Sequence, residues 1–355
     1  MIYQGNYYSN NIYGTSNNNK VKVQTNADAN FLSCELVVVF NGEEWSHTFE
    51  VPFFNNEAEF YFENYIHSII TQKFNIQNID TNNYKFYDFD LASVNMKLKE
   101  MQQDNLLSEL EHNFFMILGS FNELSIDFLN SGIKRILPTK STYFLTEKGV
   151  LSFSFLSTNY PNKLVVNNGV SESQITLPSL TTSKKLHTIT IPIKNIVSPV
   201  STALTLTLKF SNGSSFDLGQ FNVIDEGVDH HSIVFQNGHG TISIIELTGE
   251  LKADQQYKSD VFKYITENKL SLNSTKIDIK KSYALNTGYL LDYSKYEMLY
   301  SLLKSFNIYL IDNVLLKMIL SSSQKLMPYK SNYYLNNETL KFKLSENDDI
   351  HYRAF

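Results

Sequence analysis

Short runs of alternating apolar and polar residues, separated by turn residues, recur along the whole chain. Phe31 to Phe40 is strongly β in character, the Asn41-Gly42 pair that follows favours the positive φ of a tight hairpin turn, and Trp45 to Val51 alternates. Aromatic residues make up 14% of the chain and are spread through these runs. Because planar rings pack well on a pleated surface, the pattern predicts a mainly β protein.

Length and local pattern divide the chain into five parts. Its 355 residues exceed one ordinary domain of about 150 residues. Apolar residues at helical spacing predict a short helix over Glu63 to Lys73, and the capping pattern of Ser294 to Glu297 predicts that a second helix begins there. We predict an extended or disordered arm over 1–28, a β-sandwich with one short helix over 29–120, a connector over 121–145, a second β-sandwich over 146–240 and an α+β domain over 241–355.

Further strands are predicted inside these domains. In the first sandwich they are Tyr84 to Leu91, Ser93 to Glu100 and His112 to Leu118, with Gln102 to Glu111 as a polar loop or helical turn. In the last domain they are Thr241 to Leu251, Lys276 to Ala284, a hairpin of Ile308 to Ile311 with Val314 to Leu320, and a closing strand at Thr339 to Leu344.

The first 28 residues are rich in Tyr, Asn, Gly and Ser and hold few aliphatic side chains, too few to build a core alone. One interpretation is a disordered tail. The other is a segment that becomes ordered only against a neighbouring subunit, with Tyr3, Tyr7, Tyr8 and Tyr13 as its anchors. These four tyrosines are the candidate interface residues.

Net charge and apolar runs exclude several classes of partner. Thirty Lys plus Arg against 36 Asp plus Glu give a formal charge of -6, so there is no basic excess for binding a phosphate backbone. Met1 to Asn6 lacks the basic and apolar regions of a secretory signal. The longest apolar runs, such as Val314 to Leu320, fall far short of the roughly 20 residues of a membrane span. We expect no nucleic-acid partner and no membrane span.

Residues able to carry chemistry are scattered. Asp225 to His231, with His239 nearby, is the one local set of possible metal ligands, but adjacent histidines on a strand point to opposite faces. Asp88 and Asp90 would share a strand face as a glycosidase pair would, yet carboxylates two residues apart are common among 36 acidic residues. Cys34, the single cysteine, lies in an apolar strand. We predict no catalytic residue, no metal and no cofactor.

Several segments share short patterns with one group of proteins. They are Tyr283 to Leu290 (YALNTGYL), Tyr296 to Ser305, Ile308 to Asp312 and Leu340 to Leu344, with His112 to Ser120, Phe144 to Thr146, Val150 to Ser154, Phe235 to Ile242 and Leu247 to Glu250 upstream. Together these segments resemble tail structural proteins of phages and prophages of Bacteroidota. The sequence departs from the family's pattern at Leu316 to Met318, where a proline-valine pair is common.

The resemblance implies a non-enzymatic structural component of a phage virion, in the tail or baseplate, assembled in the host cytoplasm and acting through subunit-subunit interfaces with other virion tail proteins. Unpaired sandwich edges would serve as docking sites, so we expect a ring or other homo-oligomer. The alternative is a carbohydrate-binding or adhesin-type recognition module, which would need an exposed aromatic platform with polar neighbours. A glycan-cleaving enzyme, the least favoured class, would need two facing carboxylates.

Overall fold

In the residues that the structure describes, β-strands predominate and are arranged in five sheets. The structure is a computed structural model, and it describes residues 1–26, 28–72, 79–137, 142–178, 185–196, 203–224, 229–266, 269–288, 293–305, 307–311, 315–321 and 338–344. Two β-sandwiches are followed by an α+β unit, so the predicted mainly β fold class is confirmed.

The elements follow one another in this order. The first part of the chain contains β1 (Ile2–Tyr3), β2 (Asn11–Gly14), β3 (Val21–Gln24), β4 (Phe31–Phe40), β5 (Glu43–Pro52), β6 (Glu57–Phe60), α1 (Glu63–Gln72), β7 (Lys85–Phe89), β8 (Ala92–Gln102), β9 (Asn105–Ile117), β10 (Leu124–Ser125), α2 (Ile126–Ser131), β11 (Lys134–Leu137) and β12 (Thr142–Thr146). The second part contains β13 (Val150–Leu156), β14 (Pro161–Asn167), β15 (Glu172–Thr176), β16 (Leu186–Pro192), β17 (Ala203–Phe210), β18 (Ser215–Ile224), β19 (His231–Gln236), β20 (Ile242–Leu247), β21 (Leu251–Thr266), β22 (Lys269–Asn286), α3 (Tyr293–Leu303), β23 (Ile308–Ile311), β24 (Leu315–Leu320) and β25 (Thr339–Leu344).

The first sandwich encloses a core between a six-stranded sheet, in the order β10-β2-β9-β8-β4-β5, and a three-stranded sheet, in the order β1-β3-β6. Asn41 and Gly42 have φ angles of 51° and 78°, so the predicted tight turn between β4 and β5 is confirmed. The predicted amphipathic helix is α1, which buries Ile66, Ile69 and Ile70 in this core. Its apolar spacing is therefore explained by packing.

Residues 1–26 do not form a separate arm, so that prediction is wrong. Strand β1 pairs with β3, and β2 pairs in parallel with β9. The side chains of Tyr7 and Tyr13 are 0% and 1% exposed and lie in the first core. A segment with few aliphatic residues can join a core in this way, because buried tyrosine rings supply the apolar area instead.

The predicted loop or helical turn over Gln102 to Glu111 is also wrong. Gln102 lies opposite Asn105 in a hairpin of β8 and β9, with Gln103 in the turn at a φ of 52°. This end of the hairpin extends into solvent, and Leu106 is exposed there. A strand solvated on both faces needs no apolar alternation, and for this reason the sequence pattern did not indicate it.

The second sandwich packs a four-stranded sheet, in the order β11-β13-β16-β7, on a five-stranded sheet, in the order β12-β18-β17-β14-β15. Strand β7 comes from the segment assigned to the first sandwich, and it pairs with β16. Strands β11 and β12 come from the predicted connector, and each joins a sheet here. The predicted boundaries at 120 and 145 therefore do not separate the two sandwiches, since strand pairing crosses them.

The third unit is a seven-stranded sheet in the order β20-β19-β23-β24-β25-β22-β21, covered by α3. Helix α3 begins at Tyr293, one residue before the predicted start, and buries Leu299 and Leu302. The hairpin of β23 and β24 and the closing strand β25 are confirmed. Strand β19 pairs with β20 and β23, so the unit includes residues before the predicted boundary at 241.

Two further apolar clusters lie where the units meet. The first joins the two sandwiches and contains Ile12, Ile117, Phe121, Leu129, Ile136, Leu156 and Leu186. The second joins the second sandwich to the third sheet and contains Val150, Val234, Ile242 and Ile244. Because these side chains are buried between units, the three units pack directly against one another.

Candidate assembly interface

The longest strands of the protein form a hairpin that extends beyond its own sheet. Strands β21 and β22 pair from Leu251 opposite Leu285 to Thr266 opposite Lys269. Only Ser282 to Asn286 of β22 pair with β25. Among the described residues, no third strand pairs with 255–281, and we call this segment the ribbon. At roughly 3.3 Å per residue, its twelve paired positions from Gln255 to Thr266 span about 40 Å.

The ribbon differs in charge from the rest of the chain. It contains six Lys and three acidic residues, a formal charge of +3, so the remaining residues carry -9 of the total of -6. Its register places Lys258 opposite Asp278 and Asp260 opposite Lys276. Opposite charges at directly facing positions favour the pairing of two strands. The ribbon is thus a basic element on an acidic protein.

Strand β5 forms the outer edge of the six-stranded sheet and pairs with β4 alone in that sheet. Trp45, Phe49 and Val51 are partly buried against the first core. The alternate residues, among them Glu44 and Glu50, are exposed. An outer strand presents a row of backbone N–H and C=O groups that no strand of its own sheet uses. This edge is acidic, because β5 holds three Glu and no Lys or Arg.

Of the four candidate interface tyrosines, Tyr8 is 52% exposed, Tyr3 is partly buried, and Tyr7 and Tyr13 are buried. The Tyr7 hydroxyl donates to Glu63 Oε1 at 2.7 Å, and burial raises the pKa of Tyr7. The Tyr3 hydroxyl donates to the Tyr7 carbonyl oxygen at 2.9 Å, and the Tyr13 hydroxyl accepts from the Tyr8 amide at 2.8 Å. The same contacts fix Tyr3, Tyr7 and Tyr13 inside the first sandwich, so they do not form a surface patch.

Glu63 explains how this segment is held. It is buried at the start of α1, and its carboxylate also accepts from the backbone amides of Asn18 and Asn19, at 2.7 Å and 3.1 Å. A buried carboxylate is stabilised when several N–H and O–H groups donate to it. No sequence motif marks Glu63 for this role, because its partners lie 44 to 56 residues away.

The possible metal ligands contact different parts of the fold. Asp225 lies outside the described residues. His230 Nε2 lies 3.4 Å from Glu246 Oε1, whereas His239 Nδ1 lies 3.3 Å from the Leu118 carbonyl oxygen. Burial lowers the pKa of His239. Within the described ranges, no group of three His, Cys, Asp or Glu side chains is placed to hold a metal ion.

Asp88 and Cys34 both take part in the packing of the fold. Asp88 Oδ1 lies 2.7 Å from Nδ1 of His187, which is fully buried on the neighbouring strand. Cys34 is fully buried in β4, and burial raises the pKa of its thiol. A buried thiol of raised pKa is a poor nucleophile, because the thiolate is the reactive form.

Glu246 is a buried carboxylate that no sequence pattern indicated. It lies on β20 and accepts from the backbone amide and the hydroxyl of Thr146, a residue of the second sandwich. Gly149 passes so close that a Cβ built on it would lie 2.5 Å from Glu246 Oε2. The carboxylate therefore links the second sandwich to the third sheet at a point where Gly149 passes close to it.

A cleft of about 450 Å³ lies between the first sandwich and the third unit. It is lined by His67 and Thr71 of α1, by His239, and by Tyr300 and Lys304 near the end of α3. The Tyr300 ring is 51% exposed, and Lys304 Nζ lies 4.2 Å from its centroid. An exposed ring with polar neighbours can hold a planar or sugar-like ligand.

None of the helices in the described parts of the chain has the length and apolar character that crossing a lipid bilayer would require.

Comparison with known proteins gives structural neighbours only. No protein-family model matches the chain, and no curated protein matches it. Among solved structures, a chimeric titin Z1Z2 tandem is 8% identical with a TM-score of 0.16, covering 63% of this chain and 100% of that chain. Fibronectin(III)-like modules of Clostridium thermocellum CbhA are 8% identical with a TM-score of 0.17, covering 65% and 97%. The titin I-band fragment I67-I69 is 7% identical with a TM-score of 0.18, covering 79% and 92%. At such scores these likenesses carry no argument about function.

Proposed function

We propose that the chain is a non-enzymatic structural subunit of a phage virion, in the tail or baseplate, assembled in the host cytoplasm. It acts through subunit-subunit interfaces, with copies of itself and with other virion tail proteins. The resemblance of its short sequence patterns to tail proteins supports the place in the virion. The ribbon supports action through subunit-subunit interfaces.

The ribbon is the observation that carries the proposal. A two-stranded hairpin without further support is marginally stable in water. Within 255–281 the ribbon receives no support from another described strand, because β25 pairs only with Ser282 to Asn286. A neighbouring subunit that covers the ribbon would supply the missing contacts, as strand addition does in many assemblies. A long hairpin that pairs only with itself is therefore better explained as an assembly element than as part of the core.

The packing of the three units supports the same conclusion. The two junction clusters, which contain Leu186 and Val234 among other buried residues, hold the units in direct contact. The base of the ribbon and the edge of β5 consequently keep fixed positions in one body. Fixed positions lower the entropic cost of forming an ordered assembly, because fewer degrees of freedom are lost on association.

Light scattering combined with size-exclusion chromatography tests the proposal on the full chain, alone and with the products of neighbouring genes. We expect a ring or a complex of defined stoichiometry. A matched variant replaces residues 255–281 with an Asn-Gly turn, which joins Asp254 to Ser282. It should keep the thermal stability of the parent, because the removed strands pair only with each other, and it should lose the association. A parent chain that stays monomeric and binds none of those products would contradict the proposal.

A second candidate, a carbohydrate-binding or adhesin-type module, is favoured by one observation, the exposed Tyr300 ring in the cleft. Titration of the chain with oligosaccharides, followed by tyrosine fluorescence, would detect stacking on this ring. Tyr300→Ala should abolish the signal if this function is correct, whereas Tyr293→Ala, an equally exposed ring outside the cleft, should retain it.

A further inference from the structure

We infer that the ribbon of one copy adds to the outer edge of β5 in a second copy and so extends the six-stranded sheet of its first sandwich. The inference rests on the proposed function and names the partner of the ribbon as another molecule of this chain. Within one chain, β5 and the described strands of the ribbon belong to different sheets and do not pair with each other.

Length selects β5 among the possible acceptor edges. It contains ten residues, which at roughly 3.3 Å per residue is about 33 Å, and the ribbon spans about 40 Å. Apart from the ribbon's own β21, the other outer strands of the described sheets contain seven residues or fewer. Strand β20, at the far edge of the third sheet, is buried along its whole length. Of the outer strands of the described sheets other than β21, β5 is the longest, and its exposed edge is long enough for most of the ribbon.

The formal charges of the ribbon and of β5 also favour pairing between these two segments. The ribbon carries +3, and β5 contributes Glu43, Glu44 and Glu50 without any Lys or Arg. Glu44 and Glu50 are exposed on the face of β5 that points away from the core. Strand addition would place a basic segment beside an acidic strand. Complementary charge guides the encounter of two surfaces and disfavours pairing of like with like, namely ribbon with ribbon or β5 with β5.

The addition leaves the core intact. Trp45, Phe49 and Val51 already face the first core from β5. A strand added at the edge uses the outward backbone groups of β5 and leaves these side chains in place. Because the donor and acceptor surfaces differ, the contact is heterologous, and repeated contacts close into a ring or continue as a filament.

A charge-swap experiment on the full chain tests this inference. One variant carries Glu44→Lys and Glu50→Lys, and a second carries Lys280→Glu and Lys281→Glu. Each alone should associate about tenfold more weakly than the parent, measured by sedimentation velocity at low salt, since like charges then meet at the contact. An equimolar mixture should recover association, because the reversed ribbon of one variant meets the reversed β5 of the other. Asp104→Lys with Glu172→Lys, two exposed residues away from β5, is the control of equal charge change and should associate as the parent does.

The outcomes separate this inference from the proposed function. Loss of association in both variants with recovery in the mixture supports the ribbon and β5 as partners. Parent-like association of both variants overturns the inference, while the structural role stands if the ribbon-trimmed chain still loses its partners. A parent chain that remains monomeric alone but forms a complex with a neighbouring gene product also overturns the inference and leaves the structural role in place. Thermal unfolding of each variant shows whether it is folded, so that loss of association is not caused by loss of structure.

Discussion

The Nδ1 atom of His187 lies 2.7 Å from Oδ1 of Asp88, and this contact joins β16 to β7 although 99 residues separate the two in sequence. The other ring nitrogen, Nε2, lies 3.2 Å from the carbonyl oxygen of Ser157. The imidazole is fully buried and contacts the Phe155 ring at a tilt and the Tyr160 ring edge-on. A strand from the segment between α1 and β8 is thereby fixed in the second sandwich.

Asp88→Ala should lower the free energy of unfolding by about 1–3 kcal/mol, because a buried ring nitrogen of His187 loses its partner. Urea denaturation measures the change. Asp104→Ala, in the exposed turn between β8 and β9, is the control and should stay within about 0.5 kcal/mol of the parent. Equal stabilities for the two variants would show that the contact with His187 contributes nothing.

Glu63→Ala should destabilise the N-terminal segment more than the rest of the first sandwich. The Tyr7 hydroxyl, which is buried, and the backbone amides of Asn18 and Asn19, which are only part-buried, all donate to this carboxylate. Its removal takes the 2.7 Å acceptor from the Tyr7 hydroxyl, at a cost of about 1–3 kcal/mol. Hydrogen exchange should accelerate at Asn18 and Asn19. Glu109→Ala, an exposed carboxylate on β9, should leave their exchange unchanged.

Local chemistry predicts the Asn41-Gly42 turn and helices α1 and α3, though not α2, and distant packing accounts for most of the errors. Asn41-Gly42 and α1 depend on neighbouring residues, so their sequence was sufficient. Tyr7, by contrast, packs against Phe62 and Phe114, which no local pattern connects to it. Strand β7 was recognised as a strand, but alternation does not specify which sheet a strand joins. The assignment of Lys85–Phe89 to the first sandwich failed for that reason.

The candidate interface was less predictable than the fold. Aromatic rings are common in interfaces, and on that ground the sequence predicts the four N-terminal tyrosines as interface residues, whereas Tyr7 and Tyr13 are buried in the chain's own core. The ribbon was partly missed, since only Lys276 to Ala284 was predicted there as a strand. Its charged residues interrupt the apolar-polar alternation that indicates a strand. The length of the hairpin is seen only from the pairing of β21 with β22.

Stability should fall as the pH rises above about 10, the ordinary pKa of tyrosine. Burial raises the pKa values of Tyr3 and Tyr7, so the folded state keeps these hydroxyl protons when the unfolded chain has lost them. The contribution of the two groups is therefore complete below pH 10 and declines above it. Urea titrations between pH 8 and about 11.5 should show a shallower decline for Tyr7→Phe than for the parent. An unchanged slope would contradict the assignment to Tyr7, and Tyr8→Phe, at an exposed ring, is the control.

Gly149→Ala should weaken the link between the second sandwich and the third sheet. The new Cβ would lie 2.5 Å from Glu246 Oε2 and 3.1 Å from the Thr146 carbonyl oxygen, so the carboxylate must move away from the groups that donate to it. Overpacking of this kind costs about 1–3 kcal/mol. Gly238→Ala is a matched control, because a Cβ there meets no atom within 4 Å. If both variants unfold at the same urea concentration as the parent, Glu246 has room to move and does not depend on the glycine. If only Gly149→Ala is destabilised, Glu246→Gln is added to that variant. Recovery of less than half of the lost stability would show that the steric contact, rather than the charge of Glu246, is the cause.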